Sequence, residues 1–116
     1  LPVTLAKEIN PMQRRLLFTD EAARQLSALA ANPAKRGLYR QVLKTLGLLE
    51  TNLRHPGLYT HEFQSLAGFQ GERVWEAYAQ NRTPGAFRVF FHYGPDEIAG
   101  DKRIPVLTII AITPHP

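Results

Sequence analysis

A chain of 116 residues with 44% hydrophobic side chains is one domain with enough apolar surface for a core, and its 21% of interspersed charged residues argues against wholesale disorder. With no cysteine it excludes a disulfide framework and a cysteine-based zinc site, which fits the cytoplasm. No apolar run approaches the roughly 18–20 residues of a membrane span, and no segment reads as a signal peptide.

The net charge of +4 is uneven. Residues 1–54 hold nine Lys and Arg against four acids, net +5, whereas residues 55–116 hold five against six, net −1. Excess positive charge attracts polyanions such as nucleic acid, although a solvated helix face reads the same way.

In chain order, the chain starts at Leu1 rather than Met, so Met12 is a candidate original start, Leu1 to Pro11 is read as a leader or appended segment, and residues 12–116 are expected to form a single domain. Arg14 to Phe18 is a strand candidate. Thr19-Asp20-Glu21 then carries a hydroxyl cap and two acids for a first helical turn, and Ala22, Leu26, Leu29 and Ala30 recur at helical spacing. A helix over Asp20 to about Ala31 follows. Asn32-Pro33 ends it and starts a second, whose Leu38, Val42, Leu46, Leu49 and Leu53 run to His55-Pro56-Gly57. The short joint implies an antiparallel helical hairpin. The polar side of the second helix carries Lys35, Arg36, Arg40 and Lys44.

Leu58 to Phe63 reads as a short extended piece and Leu66 to Glu72 as a loop. Val74 to Gln80 and Ala86 to Tyr93 read as strands joined by Arg82-Thr83-Pro84-Gly85. In the second of these, Phe87, Val89, Phe91 and Tyr93 share one face, and Arg88, Phe90 and His92 the other. Gly94 to Arg103 is polar and reads as a loop. Pro105 to Thr113 is rich in Val, Ile and Thr and predicts a well-covered strand. The expected architecture is α+β: an N-terminal strand, a helical hairpin, then a three-stranded antiparallel region, with the helices packed on one face of a mostly antiparallel sheet.

The segments R-R-L-L-F-T-D-E-A-A-R-Q-L, W-E-A-Y, G-A-F-R-V-F-F-H-Y and I-I-A-I-T-P-H, in this order from Met12 to His115, resemble the RelE/ParE superfamily of bacterial toxin components. Its RelE and HigB branches are ribosome-dependent endoribonucleases that cut mRNA, and its ParE members inhibit DNA gyrase. Both kinds are silenced by a small antitoxin. The resemblance implies the toxin of a type II toxin–antitoxin system. It would be a cytoplasmic, metal-independent mRNA interferase that inhibits translation and pairs with its antitoxin in a hetero-oligomer, without a cofactor. The alternatives are a ParE-like gyrase inhibitor, and an inactive domain that only binds its antitoxin.

RNA cleavage without a metal needs activation of a ribose 2′-OH, stabilisation of charge on the phosphate, and protonation of the leaving 5′-oxygen. Arginine suits the middle task because its planar fork engages two phosphate oxygens. By the resemblance Arg88 is the phosphate clamp; it equally fits a structural arginine bonded to backbone or to Glu76. His115 matches a C-terminal acid–base position and is expected as general acid, or as a near-terminal histidine without a role. Glu76 is the candidate base, or a surface carboxylate paired with Arg88. Glu62 is a second candidate base, by likeness to a YoeB-type branch.

Arg73 and Arg82 can contact phosphate or ribosomal RNA, or be solvated hairpin charges. Tyr78 and His92 can stack on a base, though packing is favoured for His92; Trp75 is most simply core. The basic residues Lys35, Arg36, Arg40 and Lys44 are expected to bind ribosomal RNA. Relatives of the RelE branch place lysines before the hairpin, and V-W-E-A-Y-A has none, so a Glu/Arg/His arrangement is expected instead. The histidines at 55, 61, 92 and 115 show no zinc-site spacing.

Overall fold

The computed structural model of the chain describes residues 13–115. The expected leader, Leu1 to Pro11, lies outside them. Strand β1 (Arg15–Phe18) leads into helix α1 (Asp20–Ala31), and a short 3-10 turn (Pro33–Lys35) leads into helix α2 (Arg36–Thr51). Strands β2 (His61–Ala67), β3 (Arg73–Tyr78) and β4 (Phe87–Tyr93) follow, then a small hairpin of β5 (Glu97–Ala99) and β6 (Lys102–Ile104), and finally β7 (Val106–Pro114).

The main sheet has the order β1-β7-β4-β3-β2. Only the β1–β7 pair is parallel, and the other three pairings are antiparallel. The fold is thus α+β, with two helices against a mostly antiparallel sheet. Two expectations change. His61 to Ala67 forms a fourth antiparallel strand where an extended piece and a loop were expected. Gly94 to Arg103 is not simply a loop, because Glu97–Ala99 and Lys102–Ile104 pair about a turn with Gly100 at φ 66°. Gly-Asp is a good two-residue hairpin turn because glycine takes positive φ freely.

Local chemistry starts both helices. The Thr19 hydroxyl accepts from the Ala22 N–H (3.1 Å) and donates to the Ile110 carbonyl (3.3 Å), so one side chain caps α1 and ties it to β7. Such a cap contributes about 1 kcal/mol. Asn32 accepts from the Ala34 N–H (3.0 Å), and Pro33 opens the 3-10 turn.

The helices bury Ala22, Leu29, Val42, Leu46 and Leu49 against Ala77, Val89, Phe91, Leu107, Ile109 and Ile112. Each large side chain in this layer contributes about 1.5–3 kcal/mol by leaving water. The buried Thr45 hydroxyl donates to the Tyr78 carbonyl (3.0 Å), fixing α2 to the end of β3. No helix among the described residues is long and apolar enough to cross a membrane.

Candidate active site

Strand alternation divides β3 and β4 between two faces. Trp75, Ala77, Phe87, Val89 and Phe91 face the helices. Val74, Glu76 and Tyr78, with Arg88, Phe90 and His92, therefore face the opposite side. The β2–β3 register sets His61 opposite Glu76, so His61 joins that second face.

A bulge brings the fourth member. In β7, Leu107 and Ile109 point to the helices, and strict alternation would send residue 115 the same way. The β4–β7 register instead jumps from Phe91↔Ile109 to Phe90↔Ala111, leaving Ile110 as an extra residue. Beyond it Ile112 takes the helix side and Thr113, opposite Arg88, the other. A single inserted residue inverts the alternation and turns His115 toward Glu76. The His115 N–H then donates to the Ala86 carbonyl (2.8 Å).

Glu76 lies at the centre, only 1% exposed. His115 Nδ1 sits 2.5 Å from its Oε2, and His61 Nε2 sits 2.7 Å from its Oε1. The His61 contact is close but out of line for a hydrogen bond, so Oε1 has an ionic neighbour and no hydrogen-bond partner. The same holds for Arg88 Nε, 3.4 Å from Oε2. Burying a carboxylate is costly unless it is paired, and three basic side chains surround this one.

Arg88 is itself buried. Its Nη1 donates to the Gln80 carbonyl (2.7 Å) and to that of Phe87 (3.3 Å), while its guanidinium carbon lies 3.6 Å above the Tyr78 ring. Tyr59 packs on Tyr78 at 5.1 Å between ring centroids. Phe63 rests on Phe90 (5.0 Å) and meets the His115 ring edge-on (5.9 Å). The floor of the site is thus apolar and aromatic, and the two histidine side chains, 48% and 43% exposed, form its open rim.

The structure brings together Glu76, Arg88, His115 and Tyr78 from the expected set, with three corrections. Glu76 is a buried centre and not a surface carboxylate. Arg88 cannot fork two phosphate oxygens with both terminal nitrogens, since Nη1 is committed to main-chain carbonyls. Tyr78 is not a free stacking platform, because Arg88 and Tyr59 already lie against its ring.

Glu62 is not in this cluster. It stands opposite Trp75 on the helix-side face and pairs with Arg73, Oε1 to Nη2 at 2.6 Å and Oε2 to Nε at 3.0 Å. Arg73 also lies over the Trp75 ring at 5.5 Å, so it too is turned away from the site. The hydrogen bond from Arg73, then its charge, hold the Glu62 carboxyl below its ordinary value, and the same pairing raises Arg73.

A depressed carboxyl adds stability above its unfolded-state value and loses it as pH falls through the folded-state value. Urea midpoints of wild-type and Glu62→Gln protein should therefore differ slightly at neutral pH, the variant being lower. They should converge in acid.

Arg82 is exposed on the β3–β4 connection at φ 61°. Lys35, Arg36 and Arg40 are exposed on the helical layer, remote from Glu76 across the sheet. Lys44 differs, since it shares with Tyr78, Gln41 and His55 a cleft of about 180 Å³ at the end of the sheet. His92 is buried, its Nδ1 3.1 Å from the Tyr93 carbonyl, and Trp75 packs on the core.

His61 is the site residue that sequence reading missed. The alternation of His61 and Phe63 hints at one face, but only the β2–β3 register tells which. Among the described residues no three or more His, Cys, Asp or Glu side chains cluster so as to hold a metal ion. Comparison with protein-family models, with curated proteins and with solved structures finds no match.

Proposed function

We propose that the chain is a RelE-like toxin, a metal-independent endoribonuclease acting on ribosome-bound mRNA. The observation that carries this reading is the convergence of Glu76, His61, His115 and Arg88 on the sheet face left open by the helices. A buried carboxylate held among imidazoles and a guanidinium supplies proton transfer and positive charge at one point, as phosphodiester cleavage needs.

The ribose 2′-oxygen attacks the adjacent phosphorus, the bond to the 5′-oxygen breaks, and the products are a 2′,3′-cyclic phosphate and a 5′-hydroxyl. Arg88 offsets charge growing on the phosphate, and the Glu76–His115 pair handles protons. The exposed basic residues of the helical layer suit ribosomal RNA, an interaction that weakens with salt. The proposed setting is the cytoplasm, and the proposed partner there is a small antitoxin that covers the site in a hetero-oligomer.

Primer extension on mRNA in a translating extract, with and without ribosomes, tests the reading. Cuts that need the ribosome and leave cyclic phosphate ends are expected. Intact RNA together with falling DNA supercoiling would establish the gyrase-inhibitor reading instead, and intact RNA with unchanged supercoiling an inactive domain.

A further inference from the structure

We infer that Glu76 never meets the RNA, and that His115 takes the proton from the 2′-hydroxyl through Nε2, held in register by Glu76. This inference rests on the nuclease reading and sharpens it. It reverses the roles expected from the family resemblance, in which a glutamate is the base and His115 the acid.

Three observations carry it. First, Glu76 is 1% exposed and its Oε1 is shut off from solvent, so a ribose hydroxyl cannot reach the carboxylate. Second, His115 Nδ1 faces Glu76 Oε2 at 2.5 Å. A carboxylate only accepts, so Nδ1 carries the proton, and the neutral ring must then present a lone pair at Nε2. That nitrogen makes no hydrogen bond with any described residue, and the side chain is 43% exposed at the rim.

Third, His61 has no nitrogen to spare. Its Nδ1 lies 2.8 Å from the Tyr59 carbonyl and its Nε2 2.7 Å from Glu76 Oε1. Both ring nitrogens therefore face protein oxygens, and neither is turned to the open rim. His61 is thereby a positioning residue, packed against the far oxygen of Glu76 while the near oxygen orients His115.

In the step itself, the O2′–H proton moves to His115 Nε2 as the O2′–P bond forms. The P–O5′ bond breaks with its electron pair on O5′, which takes a proton from water. The imidazolium returns its proton to solvent, so no oxidant, reductant or further reactant is needed.

Nitrogen-15 NMR of histidine-labelled protein reads the tautomer directly, without RNA. The proton of the neutral His115 ring is expected on Nδ1, and in Glu76→Gln it should shift toward Nε2. A wild-type ring protonated at Nε2 overturns the inference.

Single-turnover cleavage of ribosome-bound mRNA supplies the second arm. His115→Ala should lose about 10²–10⁴-fold, as for a missing general base, with imidazole in the buffer restoring part of the rate. Glu76→Gln should lower kcat while KM stays unchanged. A Glu76→Ala or a His115→Ala protein that keeps the full wild-type rate would overturn the inference. Should Glu76→Ala fail to fold, the near-isosteric Gln variant carries the same test, since a full kcat there also overturns it. Wild-type protein that leaves ribosome-bound mRNA intact sinks the nuclease reading and this proton transfer with it, whereas the NMR arm tests the carboxylate–imidazole geometry independently.

Discussion

Arg88→Ala is expected to lower mRNA cleavage by about 10²–10³-fold, the effect of deleting one preorganised charge at a transition state. It should also destabilise the fold by about 3 kcal/mol, at the low end for breaking a buried ion pair. The two losses have different origins. On the proposed nuclease reading, cleavage falls because a cation is removed from beside the scissile phosphate. Stability falls because the guanidinium sits on Tyr78, bonds the carbonyls of Gln80 and Phe87, and offsets the charge of Glu76.

His61 and His115 remain beside Glu76 in the variant, which is why the low end of the range applies. Arg88→Lys separates the terms, since it keeps a charge but cannot reproduce the planar stacking and the forked bonds. Urea unfolding gives the stability, and single-turnover rates taken where the protein is fully folded give the chemistry. An Arg88→Ala protein that unfolds early but cuts at the wild-type rate would make Arg88 structural only.

Phe91→Ala is expected to give the opposite profile. Phe91 is fully buried on the helix side, so truncation removes transfer energy and leaves a cavity, costing about 3–5 kcal/mol. Against a typical total of about 5–15 kcal/mol that is a large fraction. Phe91 points away from Glu76, and the rings flooring the site, Phe90 and Phe63, belong to the other face. The rate per folded molecule should therefore stay near wild type while the urea midpoint drops sharply. A collapse of the rate at full folding would mean that the two faces are mechanically coupled.

How much of the fold is legible in the sequence follows from how local each signal is. The Thr19 cap, the apolar spacing in α1 and α2, and the alternation through β3 and β4 are local, and these elements stand where expected. Alternation also separates Arg73 from Glu76, three residues apart and so on opposite faces.

The edge strand β2 was only half visible because H-E-F-Q-S-L-A mixes polar and apolar residues without a period, as an exposed edge can. His61 could not be assigned, since its place depends on pairing with a strand beyond a turn. The orientation of His115 was hidden more deeply. It depends on one unpaired residue, Ile110, in a run where every neighbour is apolar and no local signal marks a bulge.

The placement of β7 bears on how the molecule assembles. The helices and the β2–β3–β4 meander are built from contacts close in sequence, whereas β1 and β7 meet across 91 residues, as between Thr19 and Ile110. Closing so long a loop is entropically unfavourable until many contacts form together, so this pairing belongs to the slow part of folding. His115 instead reaches Glu76 through the bulged β4–β7 pairing, whose partners lie close in sequence, so its placement belongs with the meander and not with the long closure to β1. A chain with β2, β3, β4 and β7 paired would already gather His61, Glu76, Arg88 and His115 before the N-terminal strand closes the sheet.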